Sequence, residues 1–122
     1  VEIDKRYSKE TISIKGNQGK LHQAFLNIIS NAEHAIESKG SITLFTRTIK
    51  NGVLVEIRDT GSGISKADLQ RISDPFFTTK PIGKGTGLGL AITYKIIEEH
   101  NGSVSVSSEQ DKGTKFSLEF RI

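Results

Sequence analysis

Apolar side chains keep two different rhythms along this chain, and the changes of rhythm divide it into elements. Residues 1–15 alternate apolar and polar positions, with a break near Ser8 to Glu10, which predicts one or two strands. Leu21, Phe25, Ile28, Ile29, Ala32 and Ile36 then recur at helical spacing. With Asn17 as a candidate cap, this stripe predicts a long amphipathic helix over 20–38, stopped by Gly40. The period of two returns in 41–50 and 53–60. These strands join around Asn51-Gly52, a dipeptide suited to the positive backbone angles of a tight antiparallel hairpin. Ser65 is placed to cap a short helix reaching about residue 72. Residues 74–86 carry two prolines and several glycines and no core pattern, which predicts a functional loop. A further helix is expected over 87–100, with Leu88, Ile92 and Ile96 in phase and Asn101-Gly102 as its stop. Strands 103–109 and 114–122 close the chain as a second hairpin, Phe116, Leu118, Phe120 and Ile122 alternating toward the core. This order predicts an α+β fold. It is a two-layer α/β sandwich, a mixed or antiparallel sheet of about five strands with three helices on one face.

Composition narrows the class. With 122 residues, 34% of them hydrophobic, the chain suits a single domain over 1–122 that buries a core without staples. The formal net charge is +3, and the 17 basic residues are interleaved with 14 acids. That hints at an anionic partner and makes no case for nucleic acid. Cysteine is absent, so disulfide and thiol chemistry are excluded and a reducing, cytoplasmic setting is compatible. No apolar run approaches the roughly 18 residues of a membrane span, so no membrane contact is expected, and no signal peptide opens the chain. Methionine is also absent, the initiator included. The expectation is a processed chain or, more in keeping with the rest, an excised piece of a longer protein.

Three separated features carry candidate chemistry. Asn27 and Asn31 are four apart on the long helix, about 40° apart around its axis, so both amides look the same way. They lie close to the apolar stripe, where an unpaired carboxamide is costly. Neutral carbonyl oxygens suit Mg²⁺, which shares its shell with waters and phosphates; the alternative is a pair of helix-surface amides. In Asp59-Thr60-Gly61-Ser62-Gly63-Ile64 the aspartate is in phase with Val53, Val55 and Ile57 and so points inward. A carboxylate at the rim of a core wants donors, for which the adenine amine is a good candidate, and Gly61 and Gly63 would let the backbone approach a ring. A strand-ending turn with a solvent-exposed aspartate is the other reading. Gly83-Lys84-Gly85-Thr86-Gly87-Leu88-Gly89-Leu90 runs a glycine-rich loop into a helix start, where N–H groups and the helix dipole form an anion site. Its spacing fits neither a P-loop nor a dinucleotide-binding fingerprint. Lys80 and Lys84 flank it, either neutralising phosphate or simply solvated.

Taken together and in order, these features resemble the catalytic ATP-binding domain of sensor histidine kinases. The surrounding superfamily also holds type II topoisomerases, Hsp90-type chaperones and mismatch-repair ATPases. Asn27-Ile-Ile-Ser-Asn31-Ala32 is similar to the asparagine box and Asp59 to Gly63 to the first glycine box. Asp74-Pro-Phe-Phe-Thr-Thr-Lys80 is similar to the phenylalanine box, Gly85-Thr-Gly-Leu-Gly-Leu90 to the second glycine box, and Gly113-Thr114 to the last glycine motif. The resemblance implies a Bergerat-type sandwich with a mobile ATP lid over about 74–86. It makes Asn31 the chief Mg²⁺ ligand, Asn27 a supporter of phosphates or metal, and Asp59 the partner of the adenine amine. Thr114 helps there through its hydroxyl or a water. Lys80 would reach phosphate and belong, with Asn27 and Asn31, to the catalytic set, while Gly85, Gly87 and Gly89 embrace the phosphates. Phe76 and Phe77 would anchor the lid or serve as core. Ile64, Phe77, Thr79, Gly83, Lys84, Thr86 and Leu88 complete the nucleotide-facing residues.

One position discriminates within that superfamily. ATP-hydrolysing members and anti-sigma-like serine kinases carry Glu where this chain has Asn27, because they need a general base. Asn27 therefore favours phosphorylation of histidine over hydrolysis. Glu33, His34, Ala35 and Ile36 stand where many histidine kinases place a basic residue and an aromatic, a departure that resembles the nitrogen-regulatory type; His34 either contacts phosphate or is a surface histidine. The expected activity is Mg-ATP binding and γ-phosphoryl donation to a histidine on the kinase's own dimerisation and histidine phosphotransfer domain. A response regulator receiver domain would be served indirectly. His22, His34 and His100 lack the phosphoacceptor context, so the chain alone is expected to bind ATP or ADP without phosphorylating itself. The rival readings are a non-catalytic interaction module and a stand-alone ATPase.

Overall fold

The computed structural model describes residues 2–7, 16–36, 39–71 and 89–121. Five strands form one mixed sheet in the order β1-β2-β3-β5-β4. β1 (Glu2–Arg6) runs parallel to β2 (Ser41–Ile49), while β3 (Gly52–Asp59), β5 (Gly113–Arg121) and β4 (Gly102–Glu109) continue antiparallel. Helices α1 (Gln18–Ala35) and α3 (Gly89–Glu99) pack side by side, and α2 (Lys66–Leu69) is a single turn. The α+β sandwich expected from the pattern is therefore the fold. The second half of the predicted N-terminal strand region, 8–15, and the predicted lid, 74–86, lie outside the described residues.

The core lies between the helices and one face of the sheet. Ala24, Ile28 and Ala32 of α1 and Ile96 and Ile97 of α3 meet Ile57, Phe116, Leu118 and Phe120. Phe25 sets its ring edge-on to Phe120, with centroids 6.3 Å apart. On α3 the buried face is turned from the expected one. Ile92 is 38% exposed, and Thr93, wholly buried, takes the inward position between Leu90 and Ile97. A hydroxyl buried among aliphatics needs a partner, and α1 supplies one, described below.

Element ends differ from the sequence reading for identifiable reasons. Asn17 caps α1 as expected, its side chain accepting from Lys20 N at 3.0 Å. The helix ends at Ala35 and not at residue 38: Ile36 N donates to Glu33 O at 3.2 Å in place of the Ala32 carbonyl, and the Ala35 carbonyl accepts from Ser62 N at 2.9 Å. Ile36 turns extended there and stays buried. In the first hairpin only Asn51 takes a positive φ, of 61°. Gly52 already pairs with Ile49, so the loop is Lys50-Asn51. Glycine is required at 52 for another reason: a β-carbon would meet the Phe120 carbonyl oxygen at 2.3 Å. Ser65 caps α2, but that helix stops at Leu69. Asn101, with φ of 57°, ends α3.

Candidate functional site

Pairing of β3 with β5 places Asp59 opposite Thr114, and pairing of β5 with β4 places Thr114 opposite Ser108. All three are on the core side of the sheet at one end, where the apolar filling stops. Thr114 is 6% exposed and Asp59 is half-buried. Asp59 Oδ1 accepts from Gly61 N at 2.8 Å. Burial pushes the Asp59 carboxyl above its ordinary value, against the pull of the Gly61 and Thr114 N–H groups, which favour the charge. An open groove of about 300 Å³ at this end of the sheet is lined by Asp59, Ser108, Gly113 and Thr114 together with Arg58, Ser107, Glu109, Lys112 and Lys115. Asp59 thus points inward as the alternation predicts, a desolvated acceptor beside a groove and not an exposed turn residue.

The loop after Asp59 is clamped on both sides. Gly61 lies so close to the end of α1 that a β-carbon would sit 2.6 Å from the Ala35 carbonyl carbon and oxygen. Gly63 takes φ of 74°, and a β-carbon there would meet the Glu109 carbonyl oxygen at 2.1 Å. Ser62 joins the two neighbours, donating to Ala35 O and accepting from Asp111 N. These glycines are explained by approach of protein backbone to protein backbone, a role the sequence reading did not assign to them. Ile64 N donates to Ser108 Oγ at 2.7 Å, and Ser108 Oγ lies 2.9 Å from Gly113 O and 2.8 Å from Thr114 Oγ1.

The two asparagines lie on the flank of α1 that faces α3. Asn27 Nδ2 donates to Thr93 Oγ1 at 3.3 Å, so the buried threonine holds the amide. The Asn31 side chain, part-buried one turn further on, makes no hydrogen bond to another described residue. One more turn leads to Ala35 and so to Gly61. The helix therefore carries a line from Thr93 to the glycine loop. His34 is exposed, with Nδ1 against its own helix at Ser30 O, 2.8 Å away.

A family model described as histidine kinase-, DNA gyrase B-, and HSP90-like ATPase matches residues 16–122. The chain belongs to this ATPase family. Sporulation kinase A of Bacillus subtilis (strain 168) is 42% identical over 93% of the chain and 18% of its own length. Sensor histidine kinase ZraS of Escherichia coli (strain K12) is 38% identical over 96% of the chain and 25% of its own length. The chain thus spans about a quarter or less of these curated relatives. Among solved structures, a mycobacterial sensor histidine kinase MprB superposes with a TM-score of 0.87 at 26% identity, covering 98% of this chain and 80% of that one. Full-length ShkA in complex with AMPPNP superposes at 0.85 and 32% identity, covering 98% and 25%.

Within this ATPase domain, Asp59, Gly61, Gly63, Ile64 and Thr114 come together at one end of the sheet, with Asn27 and Asn31 on the adjoining helix. Gly89 opens α3. Phe77, Thr79, Lys80, Gly83, Lys84, Gly85, Thr86, Gly87 and Leu88 lie outside the described residues. Two residues escaped the sequence reading. Ser108 is in register with Thr114, a signal available once the β4–β5 turn length is known. Thr93 sits one position past Ile92 in an apolar run, where only the neighbouring helix reveals its use.

Proposed function

We propose that this chain binds Mg-ATP and presents its γ-phosphoryl group to a histidine on the dimerisation and histidine phosphotransfer domain of its own kinase. A response regulator receiver domain would be served indirectly. The observation that carries the reading is Asp59, a half-buried carboxylate beside a groove with only backbone N–H groups to offset its desolvation. Such an acceptor discriminates in favour of a ligand that brings a donor, and the adenine amine is one. Asn31 supports the phosphate end, since its carboxamide is uncommitted among the described residues. No described cluster of three or more His, Cys, Asp or Glu could hold a metal by itself. Mg²⁺ would then arrive with the phosphates and take Asn31 as its protein ligand, where it would supply charge neutralisation. Asn27, tied to Thr93, cannot serve as a general base, which favours an imidazole acceptor over water. The single domain, the lid over 74–86 and the phosphate contacts of Lys80, Lys84 and the second glycine box belong to the same proposal.

Calorimetric titration of ADP and a non-hydrolysable ATP analogue, with and without Mg²⁺, tests it. One-to-one binding is expected, Mg²⁺-sensitive for the triphosphate and lost in Asp59→Asn. Absence of heat at millimolar nucleotide, a binding free energy weaker than about −4 kcal/mol, would refute it and favour a non-catalytic module.

A further inference from the structure

The two edge strands of the sheet differ in kind. β1 carries Glu2, Asp4, Lys5 and Arg6, so pairing it antiparallel with its own copy about Ile3, Asp4 or Lys5 always sets like charges opposite each other. β4 reads Gly-Ser-Val-Ser-Val-Ser-Ser-Glu, without lysine, arginine or proline, and its one charge is Glu109 at the end. Its 8 residues pair one to one with β5, so no bulge twists the edge away. Among the described strands none lies on its other side. Ser103, Ser105 and Ser107 are exposed on the outer face of the sheet, while Val104 and Val106 pack against the core on the inner one.

We propose that the β4 edge is an interface for a second copy of this chain, paired antiparallel about a two-fold axis at Ser105. Opposed residues point to the same face of a sheet, so a self-pairing must match inner residues with inner and outer with outer. About Ser105 it does so with like side chains along the strand. Val104 meets Val106 on both sides of the axis, Ser103 meets Ser107, and Gly102 meets Ser108. Glu109 falls opposite Asn101, so no like charges oppose. Moving the axis to Val104 or Val106 instead sets a valine against Gly102 or Ser108. The contact is isologous and closes at two copies, joining two five-stranded sheets edge to edge and pairing the outer N–H and C=O groups of β4.

The chain has no cysteine of its own, so introduced cysteines report the register. Opposed residues on antiparallel strands have Cα atoms about 4.5–5.5 Å apart, within the span of a disulfide. Ser105→Cys is therefore expected to oxidise to a covalent dimer on a non-reducing gel. Ser103→Cys, whose counterpart in the second copy would lie about 13 Å further along the strand, is expected to stay monomeric. Ser103→Cys combined with Ser107→Cys restores the dimer. Sedimentation equilibrium of the wild type without nucleotide should give a mass rising from 13.4 kDa toward twice that value as concentration approaches about 1 mM. Ser105→Lys, which sets two ammonium groups on the axis, should hold the mass at the monomer. Equal cross-linking of the two single-cysteine variants, a wild-type mass that stays at 13.4 kDa, or a dimer indifferent to Ser105→Lys overturns the proposal. A mass that climbs past two copies also overturns it, since that means open-ended pairing of β4 with another edge. Should Ser105→Lys fail to fold, the cysteine variants still decide.

Discussion

Asp59 keeps its charge where water is scarce, and the sign of that cost gives a prediction at the scale of one residue. Its folded-state pKa is raised, chiefly by burial. The ionised carboxylate is therefore a burden that the unfolded chain does not carry, present above the raised pKa and relieved as pH falls through it. Binding runs the other way, since accepting from an amine needs the ionised form. ADP affinity should accordingly begin to fall, as pH is lowered, above the ordinary aspartate range near about 4. Titrations across that interval check this, and a flat affinity down to about pH 4 would contradict it. The inward aim of Asp59 was legible because Val53, Val55 and Ile57 set a phase that it continues. Ser108 and Thr93 were not legible, because a hydroxyl means something only once its partner across a strand or helix is known.

At the scale of elements, the joint between α1 and the 61–63 loop decides where things end. Gly61 is not in a left-handed conformation, so what forbids a side chain is Ala35, whose carbonyl group would lie 2.6 Å and whose β-carbon 2.7 Å from the added atom. Gly61→Ala should cost about 1–3 kcal/mol of overpacking strain, read from denaturant midpoints at unchanged m-value. Indifference of the midpoint would mean that the joint yields. At the other end of α1, Asn17→Ala removes the cap to Lys20 N and should cost about 1 kcal/mol, measured the same way. It leaves the backbone bond from Asn17 N to His100 Nε2 in place. The cap was readable from local chemistry. The stop at Ala35 was not, since the Ser62 N–H that takes its carbonyl arrives from across two strands and a turn. Gly52 makes the same point: its neighbours suggested a turn, and its use is an approach to Phe120 in another hairpin.

For the whole molecule, the expectation is nucleotide binding without self-phosphorylation. His100 Nε2 accepts from Asn17 N at 2.9 Å, with its other ring nitrogen against Ile96 O, so its nucleophilic lone pair is already engaged. His34 is tied through Nδ1 to Ser30 O. Incubation with γ-labelled ATP and analysis under alkaline conditions should leave this chain unlabelled. Stoichiometric label on the chain alone would refute the division of labour proposed here. Element order and the glycine-rich boxes, read together, were enough to place the chain among its relatives, because those features are local. The union of Asp59 with Thr114 is not local.

That union also has a kinetic side. Each hairpin, β2–β3 and β4–β5, closes over a short turn, whereas β3–β5 must join segments separated by residues 60–112, which include α2, α3 and β4. Loop-closure entropy makes such a seam slow to form. A base held by Asp59 on one side and Thr114 on the other would sit across it like a clasp. Nucleotide would then raise the unfolding barrier by RT ln(1 + [L]/Kd) only if the seam opens at or before that barrier.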